Sequence, residues 1–427
     1  MRTILSKSVE FPQAFKTQIL EWAQQFNEVV FLDSNEYHQK YSSYDWVLAV
    51  DAFTAIQTDS HQAFDALQQY QQVTQDWLFG YLSYDLKNDT ERLTSANFDG
   101  LQFPELFFFQ PKKLFLCQGN TLEIHYLYCC DDELESDWKA ICNQQPIPTE
   151  RHELSIQQRI PKERYLSKIE NLLQHIQRGD IYEANFCMEF FAEQADINPV
   201  QCYNQLNAIS SPPFATFMKN KHHYVLSASP ERYLRKQGPT IISQPIKGTA
   251  KRYADPIADE QSKTELANNP KERSENIMIV DLVRNDLSRT ATKASVAVEE
   301  LCGIYSFPQV HQMISTIVSE IDPATSPAEV LKTTFPMGSM TGAPKISAMT
   351  IIETLEETKR GVYSGAVGYF TPNHDFDFNV IIRSILYNAH SQYLSFSVGS
   401  AITIKSVPEQ EYEECLLKAK AMFEVLQ

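Results

Sequence analysis

Four short segments in the middle of the chain, residues 181–191, 214–219, 224–229 and 240–246, are rich in β-branched and aromatic residues and are broken by turn residues. Such segments predict an antiparallel sheet. Further strand-like runs lie at residues 310–321, 364–371, 376–387 and 393–405. Prolines open the helices between and after them. The helix from Pro161 carries Tyr165, Ile169, Leu172 and Ile176 at helical spacing and closes at Gly179, and others start at Pro256, Pro270, Pro327, Pro344 and Pro408.

Residues 1–150 mix the two patterns. Helical periodicity near residues 14–26 and 61–72 alternates with strand-like runs at 29–32 and 77–82, and strands at 105–117 and 121–128 meet around Gly119-Asn120. Residues 131–159 are polar, contain Pro146 and Pro148, and read as a linker to a second region, residues 151–427. No internal repeat or low-complexity tract interrupts either part.

Composition narrows the function. The formal charge of −17 argues against nucleic acid as a partner, because phosphate binding needs clustered Lys and Arg. An acidic substrate would need its own local cations, from a metal or from converging Lys and Arg. No run of about 18 apolar residues spans a bilayer. The N-terminus lacks the apolar core of a secretion signal, so the expected location is the cytoplasm. The eight cysteines are scattered without a Cys-x-x-Cys spacing, which suits reduced thiols, and none sits in a Gly-rich elbow resembling a glutaminase nucleophile.

Several segments carry charge in patterns that chemistry uses. In Gln244-Pro245-Ile246-Lys247-Gly248-Thr249, a lysine lies between a proline that favours extended geometry and a glycine that lets a ligand approach, the display of a nucleophile. The helix from Pro270 sets Glu272 and Glu275 on one face, and the last helix does the same with Glu411 and Glu414. An isolated pair of this kind is ordinarily a solvated face. Two facing pairs form an oxygen-rich site suited to Mg²⁺, with Lys418 one turn beyond Glu414 to hold a substrate carboxylate. Gly338-Ser339-Met340-Thr341-Gly342-Ala343-Pro344-Lys345 runs from a glycine-bearing loop into a helix start, where backbone N–H groups, Ser339, Thr341 and Lys345 offer donors to an anion. It lacks the Gly-Lys-Ser/Thr order of a nucleotide-binding loop. Arg383 interrupts an apolar strand, where a charge must be paired or face a ligand. His311 interrupts another, and Asp281, Arg284, Asn285 and Asp286 read as a structural ion-pair network.

Together with Ser229-Pro230-Glu231-Arg232 and residues 365–370, these motifs resemble, in order, those of the chorismate-utilising enzymes over nearly all of residues 160–427. The lysine of Pro-Ile-Lys-Gly-Thr is similar to the branch that makes 4-amino-4-deoxychorismate, whereas the anthranilate branch usually carries Ala there. The resemblance implies an α+β fold: two packed, mainly antiparallel sheets with helices outside, the N-terminal part completing the sandwich. It also implies a reaction of chorismate with ammonia and Mg²⁺, on the way to 4-aminobenzoate and folate.

The roles it implies are these. Lys247 adds at ring carbon 2 as the hydroxyl leaves carbon 4, and ammonia then displaces it; its amine must be neutral, so groups that lower its pKa are expected. Glu231 serves as general acid and base, and His311 lies near the reacting ring. Glu275 and Glu414 bind Mg²⁺, with Glu272 and Glu411 acting through water. Thr249, Thr341, Gly342, Tyr369, Arg383 and Lys418 hold the substrate. Ammonia would come from a separate glutamine amidotransferase subunit, and a separate lyase would act downstream. The competing readings are anthranilate formation and a silent amidotransferase-binding subunit. Two stretches depart from the family pattern: Gly399-Ser400-Ala401, read as a turn, has Ala at its third position, and Phe31-Leu32-Asp33-Ser34 only loosely matches the tryptophan-pocket motif.

Overall fold

A computed structural model describes residues 1–9, 12–37, 40–145, 154–307 and 310–427. The strands pair antiparallel into two layers. One layer runs, by neighbouring strands, Arg2–Ser8, Thr121–Leu127, Leu106–Gln118, Trp46–Thr58, Glu28–Asp33, Phe214–Asn220, His223–Ser229, Ser384–Asn388, Tyr393–Thr403 and Glu183–Ala192. The other runs from the first half of Leu106–Gln118 through Leu78–Leu82, Ala366–Phe370, Phe376–Val380, Arg232–Gln237 and Thr240–Gln244 to Val310–Glu320, which also pairs with Ile246–Lys251 and Ala297–Ser306. The long pair Trp46–Thr58 and Leu106–Gln118 belongs to both layers and bends at a register shift between Ala52 and Thr54. An extra residue there lets a strand turn from one sheet into the other.

Side-chain alternation then sorts the core. Val30, Phe79, Phe109, Leu116, Met218, Val225, Val367 and Leu386 fill the space between the layers. On one outer face the helices Lys162–Arg178, Pro199–Ser210 and Pro408–Leu426 pack through Tyr165, Ile169, Leu172, Leu206, Ala419 and Met422. On the other, Ala63–Thr74, Pro270–Ser288 and Pro327–Thr334 pack through Phe64, Leu67, Val280, Val283 and Leu331. The fold is therefore the α+β sandwich with external helices. Its N-terminal strands do not stand apart, since Glu28–Asp33 pairs with Phe214–Asn220 and Leu78–Leu82 with Ala366–Phe370. Among the described residues no helix is long and apolar enough to cross a membrane.

Several boundaries differ from the sequence reading. The run 240–246 breaks at Pro245, and Lys247 stands on its own strand, Ile246–Lys251. The run 376–387 breaks at Arg383, whose φ of 53° cannot continue a strand. Gly399, Ser400 and Ala401 are not a turn: they pair with Cys187, Phe186 and Asn185 inside a ladder. The span read as a linker contains a helix, Leu134–Cys142, with Leu134 and Ile141 buried, while residues 146–153 lie outside the described residues.

Phe79 is wholly buried between the layers and packs against Trp77 and Tyr369. Phe79→Ala is expected to lower unfolding free energy by about 3–5 kcal/mol in urea titrations. Val73→Ala, at a position 85% exposed, should change it by no more than about 0.5 kcal/mol.

Candidate active site

Lys247 is held by its backbone before its side chain is considered. Its strand pairs Ile246 with Ile314 and Thr249 with Gln312, and the register shifts between them, so the lysine sits in a bulge that re-aims it. The fully buried Asn276 amide donates to the Lys247 carbonyl and to the Met313 carbonyl, both at 3.2 Å. Gly248 has φ +98°, and a Cβ there would lie 3.1 Å from Glu272 Oε2, so only glycine lets the lysine strand approach the acidic helix.

The Lys247 ammonium lies 2.8 Å from Glu183 Oε1, with both side chains largely buried. Glu183 begins the strand Glu183–Ala192, pairing with Thr403 on one side and Ala343 on the other. Burial alone would drive the Lys247 pKa down, but Glu183, Glu275 and Glu231 more than offset it and the net direction is up. This is opposite to the lowered pKa expected of the nucleophile: acids, not cations, surround it.

Glu231 is buried beside the lysine strand, where its carboxylate accepts from the Ser339 hydroxyl and the Ile246 N–H. Desolvation dominates these bonds and the Lys247 charge, and pushes its pKa up to about 7. That is the range in which a carboxyl both gives and takes a proton near neutrality.

The two acidic helices share one ammonium, Lys271. Asn269 caps the helix Pro270–Ser288 by accepting from the N–H groups of Lys271 and Glu272, which orients its first turn. Lys271 Nζ lies 3.8 Å from Glu275 Oε1 and 4.0 Å from Glu411 Oε1, bridging the helices. Glu275 Oε1 is buried with no hydrogen-bond partner, and burial pushes the Glu275 pKa up to about 7 against the pull of Lys247 and Lys271. Lys418 binds Glu414 Oε1 at 2.6 Å and the Gly399 carbonyl at 2.8 Å. An orphaned buried carboxylate oxygen, four glutamates and an ammonium between them are the chemistry of a cation site. Among the described residues no three such groups converge into a preformed ligand set.

Arg383 supplies the opposite charge. Its guanidinium makes no hydrogen bond or ion pair with a described residue, and desolvation lowers its pKa, with Tyr363 and Glu414 pulling the other way. Thr341 is buried, its hydroxyl donating to the Gly338 carbonyl at 3.1 Å and its own carbonyl accepting from Asn185 N–H at 2.8 Å. A Cβ on Gly342 would lie 2.2 Å from the Glu183 carbonyl, so the loop touches the Glu183 strand directly.

Other residues singled out in the sequence have the following surroundings. Tyr369 packs with Tyr44, Trp77 and Phe79 and lines a cavity of about 70 Å³ that Leu32, Asp33 and Ser34 also line. His311 is engaged at both ring nitrogens, with Ser306 and Asp259, and pairs with Ala250 rather than Lys247. Thr249 is exposed on the lysine strand. Lys345 is not an anion donor: it is buried on Asp286 at 2.6 Å and on the Thr334 and Pro336 carbonyls. Conversely, Glu183 and Asn276 escaped the sequence reading. The signal for Glu183 was the same one that exposed Arg383, a charge in an apolar strand.

A family model described as chorismate binding enzyme matches residues 23–424. The chain is 32% identical over 360 residues to an anthranilate synthase component I-like protein of Synechocystis sp., covering 82% of this chain and 72% of that one. It is 29% identical over 388 residues to aminodeoxychorismate synthase component 1 of Bacillus subtilis, covering 88% and 80%. Its fold matches the crystal structure of anthranilate synthase component I from Streptococcus pneumoniae with TM-score 0.77 at 24% identity, over 90% of this chain and 93% of that one.

The Glu231 pKa sets a stability profile. Raised from 4.5 to about 7 in the fold, Glu231 binds its proton more tightly there than in the unfolded chain, so its contribution is complete below about pH 4.5 and is lost as pH rises through 7. The loss is on the order of 3 kcal/mol. Glu231→Gln should flatten the fall in denaturant midpoint across that window.

Proposed function

The chain belongs to the chorismate-binding enzymes, and from that premise we propose that it is component 1 of an aminodeoxychorismate synthase, replacing the ring hydroxyl of chorismate at carbon 4 with an amine. The observation that carries the reading is Lys247, whose buried Nζ lies against Glu183 and within the field of Glu231 and Glu275. A hydroxide leaves poorly, so the substitution is split in two.

Lys247 Nζ forms a bond to ring carbon 2 while both ring double bonds shift and the carbon 4 oxygen departs. Protonated Glu231 gives its proton to that oxygen, releasing water. Glu231, now a carboxylate, takes a proton from an incoming ammonium ion. The ammonia attacks carbon 4, both double bonds shift back and the bond to Lys247 breaks. Arg383, Lys418 and the backbone around Thr341 and Gly342 hold the substrate carboxylates. Glu275 and Glu414, with Glu272 and Glu411, would hold Mg²⁺, which when bound neutralises the ring carboxylate and fixes the ring.

The proposal includes a separate glutamine amidotransferase as the source of ammonia, and a lyase that removes pyruvate from the product on the way to 4-aminobenzoate and folate. A second reading, anthranilate synthase component 1, is favoured by the relatives that carry that name. It would place the amine on carbon 2, the position that Lys247 attacks in the reading proposed here.

The test is to incubate the chain with chorismate, Mg²⁺ and ammonium and to separate the products with and without an added aminodeoxychorismate lyase. The expected result is 4-aminobenzoate only with lyase, its loss by at least roughly 100-fold in Lys247→Ala, and its loss on chelation with EDTA. Arg383→Ala should raise the chorismate KM by roughly 10- to 100-fold. Anthranilate with pyruvate in the absence of lyase would replace this reading by the second.

A further inference from the structure

The mechanism above needs Lys247 as a free amine, yet the charges around it favour the ammonium. The proton must therefore have an acceptor at hand. From the nearest carboxylate oxygen to Nζ, at 2.8 Å, we propose that Glu183 is the base that takes the Lys247 proton before the amine attacks and returns it when the amine is expelled. The proposal rests on the functional reading just given.

Geometry distinguishes Glu183 from the other acids near the lysine. Glu275, from the helix Pro270–Ser288, and Glu231, before the strand Arg232–Gln237, face Lys247 from other sides, and Glu272 and Glu414 feel its charge from further off. Among the described residues, Glu183 alone is hydrogen-bonded to Nζ. Glu231 is committed to Ser339 and the Ile246 N–H. The Glu183 backbone is fixed from both sides: Tyr182 N–H binds the Ala343 carbonyl at 2.7 Å, Asn185 N–H binds the Thr341 carbonyl at 2.8 Å, and the Thr403 register holds the opposite edge. Its side chain, at 5% exposure, has little water to turn to.

The energetics follow from burial. Moving one proton across the 2.8 Å hydrogen bond converts an ion pair into a neutral amine beside a neutral acid. The surrounding acids favour the ion pair, and excluding the little remaining water as substrate binds shifts the balance toward the neutral pair, since desolvation penalises the two charges most. Substrate arrival would thus unmask the nucleophile.

The step balances. The Glu183 carboxylate takes one proton from the Lys247 ammonium; the freed electron pair forms the bond to carbon 2, leaving a secondary ammonium. When ammonia bonds to carbon 4, that nitrogen departs as a neutral amine and regains its proton from the Glu183 carboxyl. The product keeps the ammonia nitrogen as its ammonium group, and Glu231 has exchanged its own proton separately.

The experiment compares the full chain with Glu183→Gln and Glu183→Asp, using chorismate, Mg²⁺ and ammonium, from about pH 6 to about pH 10. Glu183→Gln keeps the size and a hydrogen bond but takes no proton. Its kcat should fall roughly 100-fold near neutrality and climb with pH as solvent takes over the deprotonation, with chorismate KM within about threefold of the parent. Without ammonium, intact-mass spectra should show the parent gaining chorismate less water, and Glu183→Gln showing no such adduct near neutrality. Glu183→Asp should recover part of the rate.

Parent-like turnover and pH profile in Glu183→Gln would overturn the role, as would a loss equal at every pH with KM raised in step, the mark of a purely structural side chain. Failure of the parent chain itself to aminate chorismate is read separately and overturns the functional reading beneath it.

Discussion

Four carboxylates on two neighbouring helices face a shared set of cations, and the site depends on those cations being interleaved among the acids. Lys271 bridges Glu275 and Glu411, Lys418 holds Glu414, and Lys247 is paired with Glu183. Each of those cations is in turn placed by backbone. Asn276 ties the lysine strand to the acidic helix, the Gly399 carbonyl receives Lys418, and Asn269 sets the pitch at which Glu272 and Glu275 emerge. Remove any one and the like charges, in a partly buried site where water screens them little, must protonate or separate. Glu275 already leans that way, its pKa pushed up to about 7 with one oxygen unpartnered.

The sandwich explains why so distant a set of residues meets. Glu183, Lys247, Glu275 and Glu414 come from four different elements and Glu231 from the loop before a fifth, and no two of them are neighbours in sequence. The helix Pro270–Ser288 is tied to the lysine strand by Asn276 and to the helix Pro408–Leu426 through Lys271 and Glu411. The loop from Gly338 reaches Glu231, by the Ser339 hydroxyl, and touches the Glu183 strand at Gly342. Its following lysine, Lys345, is spent on anchoring the loop to Asp286 and so is lost to the ligand.

Legibility in the sequence tracked how local each cause was. Helices with proline at their starts, Gly179 as a stop and the glutamate pairs one turn apart depend on residues within a few positions, and all were readable. Lys247 and Arg383 were readable as oddities of context. The partner of Lys247 was not, because Glu183 lies 64 residues away and reaches it only through tertiary packing. Glu189, another charge in the same strand, shows why pattern alone would not have sufficed: it is bound by Arg159, Tyr393 and Ser395 and belongs to the scaffold. The direction of the Lys247 pKa was misread for the same reason. Tyr369 and His311 sit in strands as expected, but which layer face each strand presents to the site is set by pairing register, which no local pattern carries.

The acidity of the chain bears on selectivity under the proposed function. A molecule with net charge −17 repels a dianion at long range, so attraction has to come from within the site. Arg383 is the cation there that no described acid has claimed, whereas Lys247, Lys271 and Lys418 are each paired to a carboxylate. A substrate carboxylate therefore gains most at Arg383, a half-buried guanidinium with no acid of the described residues bound to it, and least at the lysines, where it must displace one. That asymmetry orients an anionic ring before any bond is made: one carboxylate goes to the arginine, and the remaining charge faces the acidic side, where only an added cation makes it welcome. The same acids that hold Lys247 as an ammonium thus make both its activation and the docking of substrate depend on neutralising them.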